Sequence, residues 1–219
     1  MAPSSSGEPR TVRVDPNRLP GWLERFQERH GPITATAGTE RLRCAAPDGA
    51  VAEILLRWGP LPPDGDPLTA VTGQFLADRT VGVLIVRRKA HAVGVFRGPH
   101  LEQGHHASHY VQGRTKAGGW SQQRYARRRS NQADRAFAAA AEDVERLLLP
   151  HAAELEAVVL GGDGAAARGV LGDPGFDRLR ELAAATRHPV YATADPNRSV
   201  LEGFAAVYRA VPIQLNELA

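Results

Sequence analysis

The sequence predicts an α/β protein in which a mixed sheet is flanked by helices and preceded by a small N-terminal α+β module. Three observations predict this. Two apolar, β-branched runs, 80–88 (TVGVLIVRR) and 91–96 (HAVGVF), flank a short polar turn, the pattern of a core hairpin. Then comes the longest helical signal: Tyr125, Ala133, Phe137, Ala141, Val144 and Leu148 recur at helical spacing until Pro150 stops the run. At 1.5 Å per residue, such a helix is about 40 Å long. The last third alternates strand (LEAVVLGG), helix (Phe176 to Arg187), short strand (VYATA) and helix (Ser199 to Tyr208), the order of a sheet with crossover helices.

Taken in order, residues 1–18 are rich in Ser, Pro and Gly and lack the apolar segment of a secretory signal, so a disordered lead-in is expected. Leu19 to His30 carries Trp22, Leu23 and Phe26 at helical spacing, and Gly31-Pro32 ends the pattern. Ile33 to Trp58 reads as a hairpin turning at Pro47-Asp48-Gly49. The stretch 59–67, GPLPPDGDP, has the composition of a linker. The expected division is therefore a module over 19–68 and a larger domain over 69–219. Within the larger domain, a polar, His-rich passage from Gly104 to His109 leads to a glycine loop at Gly113 to Gly119.

Composition excludes several classes. No run approaches the roughly 18 apolar residues of a membrane helix, and the 42% hydrophobic content suffices for a buried core. The lone Cys44 can form neither an internal disulfide nor a cysteine zinc cluster, which fits a reducing cytoplasm and a small buried side chain. His105 and His109 stand at the i, i+4 spacing of a helix face beside His106, but no neighbouring carboxylate or cysteine accompanies them. They read as solvated or RNA-facing, and no metal site is assigned.

The net charge of +3 is unevenly placed. Between Gln103 and Ala133 there is no acidic residue, while Arg114, Lys116, Arg124, Arg127, Arg128 and Arg129 are cationic. Such a segment is either a solvated basic face or a surface for a polyanion. Within it lies GGWSQQ. Gly118 and Gly119 free the backbone for close approach, and Ser121 is a favourable N-cap for the following helix. Gln122 and Gln123 then occupy a first turn whose unpaired N–H groups and dipole can receive an oxyanion or phosphate. A neutral amide there can orient a water for attack on an ester carbonyl. Trp120 suits either stacking on a base or packing against its own domain. A phosphate-binding P-loop is excluded because its lysine is missing after the glycines. Gly162-Asp163-Gly164 follows a strand but lacks the acidic residue of a dinucleotide site about 20 residues on; Gly161 and Gly162 read as a structural turn.

GGWSQQ followed by Arg124-Tyr125-Ala126-Arg127-Arg128-Arg129 resembles the catalytic, middle domain of archaeal and eukaryotic class-one release factors. The Vms-like release factors of ribosome quality control, in their actinobacterial branch, are the nearest in pattern. There a Gly-Gly-Gln or Gly-Ser-Gln loop precedes a basic helix. VGVLIVRRKAHAVGVF looks like the family's opening hairpin, EAVVLGGDG its strand and Gly-Gly turn, and LEGFAAV its closing helix, so the resemblance spans about Thr72 to Ala210. One departure stands out: alignment on Gly118-Gly119 puts Trp120 at the family's glutamine, whereas alignment on Ser-Gln selects Gln122, with Gln123 next.

The resemblance implies a release-factor-like catalytic domain and hydrolysis of peptidyl-tRNA in the large ribosomal subunit. Gln122 or Gln123 would act with Gly118, Gly119 and Ser121, and Arg114, Lys116, Trp120, Arg124, Arg127, Arg128 and Arg129 would meet rRNA or tRNA. Nothing in the sequence resembles the domain that reads stop codons, so codon-independent rescue is expected from a cytoplasmic monomer without a cofactor. A nuclease cutting the tRNA near its 3′ end and a non-catalytic ribosome- or tRNA-binding protein are the two other readings.

Overall fold

The computed structural model describes residues 10–108 and 137–219, which form a mixed α/β protein of two compact units. The first comprises residues up to Ala77 together with Arg209–Ala219; the second is Asp78–Tyr208.

In the first unit, strands β1 (Arg10–Val14), β2 (Thr34–Ala37), β3 (Arg41–Ala45), β4 (Val51–Leu55) and β9 (Val211–Leu215) form an antiparallel sheet in the order β1-β9-β4-β3-β2. Helix α1 (Leu19–His30) spans the residues its periodicity predicts and ends at Gly31, whose φ of 91° favours glycine. Its Leu19, Leu23 and Phe26 share a core with Leu42, Cys44, Ile54 and Ile213. Burial pushes the Cys44 thiol up to about 11, so it packs as a neutral apolar group.

The unit is larger than the module expected from sequence. Asp66 caps helix α2 (Pro67–Leu76) by accepting from the Thr69 amide, and Pro67 sits where a missing N–H costs nothing. Val71 and Phe75 of α2 pack in this core, so the unit runs on to Ala77. Residues 10–14 of the expected lead-in are β1, paired with β9 from the far end of the chain.

The second unit holds a four-stranded sheet in the order β7-β6-β5-β8. Strands β5 (Thr80–Arg87) and β6 (Ala90–Arg97) form the predicted hairpin; β8 (Ala157–Gly162) joins β5 in parallel. Strand β7 (His100–Ser108) runs antiparallel to β6 and takes in most of the His-rich passage. A helix over 137–147, here α3, lies within the predicted long helix. Its Ala140, Val144 and Leu147, with Leu148 just beyond its end, pack with Leu84, Val93, Val95 and Val158 of the sheet, joined by α4 (Gly164–Val170) and α5 (Asp177–Ala185). On the other face Phe96 meets Tyr208 edge-on at 5.9 Å, in the layer formed by α6 (Arg198–Glu202) and α7 (Phe204–Arg209).

Three expectations for the last third change. The predicted closing helix is two short helices with Gly203 between them, and VYATA contributes a single bridge, Tyr191 to Gly161, where Pro189 and Pro196 limit pairing. The turn expected at Gly161-Gly162 is instead the end of β8: Gly162, at a φ of 79°, donates its amide to the Tyr191 carbonyl, and Asp163 caps α4 directly after it.

Candidate functional site

The residues singled out for catalysis and RNA contact, Gly118, Gly119, Ser121, Gln122 and Gln123 with Arg114, Lys116, Trp120, Arg124, Arg127, Arg128 and Arg129, lie outside the described residues, as does His109. The structure describes what the chain passes through on either side, namely β7, ending at Ser108, and α3 over 137–147.

Those two elements meet at a polar cluster that the sequence did not announce. In the β6–β7 register Val93 lies opposite His105 and His91 opposite Ala107, so His91 and His105 project from one face of the sheet. That face also carries Val93 and Val95, which pack with Val144 of α3 and with Leu148 just beyond it. His106 lies opposite Ala92 and faces the other way. Asp143 comes down onto this face from α3, and one carboxylate oxygen, Oδ2, accepts from His91 Nε2 at 2.8 Å and from His105 Nδ1 at 2.6 Å. The second oxygen accepts from Arg146 Nη2 at 2.5 Å.

Burial grades the cluster. His91 is 1% exposed and the Asp143 side chain 10%, whereas His105 is 48% and Arg146 57% exposed. Burial raises the Asp143 carboxyl, but hydrogen bonds from His91, Arg146 and His105 outweigh it and hold the group below its ordinary value. The carboxylate is thus ionised at neutral pH and ties α3 to two strands.

The sequence alone leaves His105 solvated or RNA-facing, with no carboxylate beside it. The fold supplies one 38 residues downstream, and it corrects the helical spacing on which His105 and His109 were compared, because residues 100–108 form a strand. His91 and Asp143 were missed. Their signal was a histidine inside an otherwise apolar strand and an acid on the apolar stripe Ala140, Asp143, Val144, Leu147.

Residues 79–214, more than half of the chain, match the profile of the Actinobacteria/chloroflexi VLRF1 release factors, acVLRF1. The chain belongs to this family. The acVLRF1 match takes in all of β5 to β8, the cluster just described, and the whole of 109–136 with every candidate loop residue. Over 91 residues the acVLRF1 chain is 33% identical to peptide chain release factor subunit 1 of Aeropyrum pernix, a stretch covering 41% of this chain and 24% of that protein. It therefore aligns with about a quarter of that relative's length. Among solved structures, the archaeal translation termination factor aRF1 is similar at 16% identity and a TM-score of 0.42, over 87% of this chain and 61% of that one. A second archaeal protein is similar at 15% identity and a TM-score of 0.39, over 93% and 68%.

Proposed function

We propose that this acVLRF1 protein rescues stalled ribosomal complexes by hydrolysing the peptidyl-tRNA ester, independently of a codon. The observation that carries the reading is the release-factor family match across 79–214, which contains the sequence GGWSQQRYARRR.

On this reading Gln122, or Gln123 in its place, orients a water beside the ester that joins the nascent peptide to the terminal adenosine of the tRNA. The water oxygen attacks the ester carbonyl, and negative charge collects on the carbonyl oxygen. Backbone N–H groups at the start of the helix suit that charge. The intermediate collapses with cleavage of the ester C–O bond; the peptide leaves as a carboxylic acid, and the ribose oxygen takes a proton to become a hydroxyl. Gly118 and Gly119 give the loop room to approach the substrate, and Ser121 caps the helix. Arg114, Lys116, Arg124, Arg127, Arg128 and Arg129 neutralise phosphates of rRNA or tRNA, with Trp120 available to stack on a base. The reading calls for a protein that acts as a monomer in the cytoplasm, on the large subunit, without a cofactor.

Product analysis on large-subunit complexes carrying peptidyl-tRNA and no messenger tests this. The expected products are free peptide and full-length tRNA with an intact 3′ hydroxyl. A tRNA shortened at its 3′ end would replace the reading with a nuclease, and untouched peptidyl-tRNA on saturated complexes would replace it with a binding protein.

A further inference from the structure

We propose that His91, His105 and Asp143 form a binding site for one divalent transition-metal ion of the Zn2+ type, cross-linking α3 to β6 and β7. This goes beyond the proposed release activity and does not depend on it.

Three observations carry the inference. The donor atoms, one nitrogen from each imidazole and one carboxylate oxygen, all lie within 4.8 Å of one another. They converge on one point: both imidazoles aim at the same oxygen, Oδ2, rather than sharing the two oxygens of the carboxylate. Finally, the donors come from three different elements whose packing is fixed by the core around Val93, Val144 and Leu148, so the arrangement is built by the fold.

Two imidazoles and a carboxylate are a familiar ligand set for zinc, with ligand bonds of about 2.0–2.2 Å. Tetrahedral bonds of that length separate neighbouring donors by about 3.3 Å. The carboxylate oxygen now stands 2.8 and 2.6 Å from the two imidazole nitrogens, which lie within 4.8 Å of each other, so the ion is admitted by a shift of about half an ångström at the carboxylate and a closing of the two imidazoles by up to about 1.5 Å. Each imidazole coordinates as the neutral tautomer, with the proton on its other ring nitrogen. Half-exposed His105 opens the site to solvent, and water completes the coordination from that side. Arg146 opposes the ion by its charge, but its side chain is 57% exposed and can swing into water, releasing the second carboxylate oxygen.

The test uses the full chain, freed of metal by chelation, and Zn2+ alone as the probe, read by calorimetric titration and by X-ray absorption at the zinc edge. The expected result is one ion per chain with two imidazole nitrogens in the coordination sphere and a melting temperature that rises with free Zn2+. His105→Ala, at a half-exposed position that leaves the core intact, is expected to weaken binding about 100-fold or more, as is Asp143→Asn. Arg146→Ala is expected to tighten it about tenfold, the scale of a unit charge a few ångströms from a dication in a water-like medium. His106→Ala, on the opposite face of β7, should leave affinity unchanged. Absence of stoichiometric binding overturns the proposal, as does binding that survives both His105→Ala and Asp143→Asn. The cluster is then a hydrogen-bonded tie alone.

Discussion

Asp143→Ala, measured in the presence of a chelator, tests how much the polar cluster contributes to holding α3 on the sheet. The substitution removes three hydrogen bonds of unequal weight. His105 and Arg146 are about half exposed, so their donors turn to water, and each of those losses costs at most about 1 kcal/mol. His91 is 1% exposed. Its Nε2 loses the Asp143 acceptor at a buried position, and a loss of that kind costs about 1–3 kcal/mol. Relief from burying a carboxylate offsets part of the total, leaving a net destabilisation of about 2–4 kcal/mol. Asp143→Asn keeps an acceptor for His91 and should lose about 1 kcal/mol. The assay is urea unfolding by circular dichroism, with amide exchange in β6 reporting on the second unit alone. A loss below about 0.5 kcal/mol for Asp143→Ala would refute the reasoning. Equal losses for the Ala and Asn variants would show that charge, rather than an accepting oxygen beside His91, is what matters.

Gln122→Ala should leave folding and ribosome binding intact and slow peptide release by about 10² to 10³, with Gln123→Ala smaller; unchanged release by the double variant sinks the catalytic assignment. Replacing Arg127, Arg128 and Arg129 together by Ala should flatten the salt dependence of ribosome binding by about 2–3 units of slope, at about 0.7–0.9 per lost phosphate contact; an unchanged slope marks a solvated face. Gly162→Ala should cost about 3 kcal/mol or more, because a Cβ there would stand 2.2 Å from the Val86 carbonyl oxygen at a φ of 79°. Thermal unfolding checks this, and a loss under about 1 kcal/mol would mean that the end of β8 relaxes freely.

How legible each element was depended on how its residues are covered. Strands β5 and β6 are buried on both faces, so their apolar runs were continuous and the polar Arg88-Lys89 turn stood out. Strand β7 is an edge strand exposed along most of its length; Gly104 and three histidines replace the alternation that marks a half-buried strand. Helix α2 was hidden because Pro and Gly in 59–67 read as a linker, although Asp66-Pro67 is also a helix start. The pairing of β1 with β9 joins segments about 200 residues apart, and nothing local in either specifies the other. The same limit hid the cluster: His91 and His105 reach Asp143 across 52 and 38 residues, and only tertiary packing unites them. The candidate loop could be singled out because its residues are consecutive, but it lies outside the described residues.

The distribution of charge constrains where a polyanion can engage this chain. Cations cluster from Arg114 to Arg129 in a stretch without an acid, but the sign reverses at Glu142, Asp143 and Glu145. Asp143 is buried and occupied by His91, His105 and Arg146, whereas Glu142 and Glu145 are exposed on α3. Charges in solution act over about 8–10 Å at physiological salt, so a phosphate that comes within that range of the exposed glutamates is repelled. The proposed ribosomal contact should therefore end before α3. That leaves α3 to serve the fold, with its apolar stripe on the sheet and its one inward acid on two histidines. Reversing the exposed pair, Glu142→Lys with Glu145→Lys, accordingly should add nonspecific affinity for RNA without accelerating release. Faster release by that variant would show that α3 itself approaches the reacting tRNA.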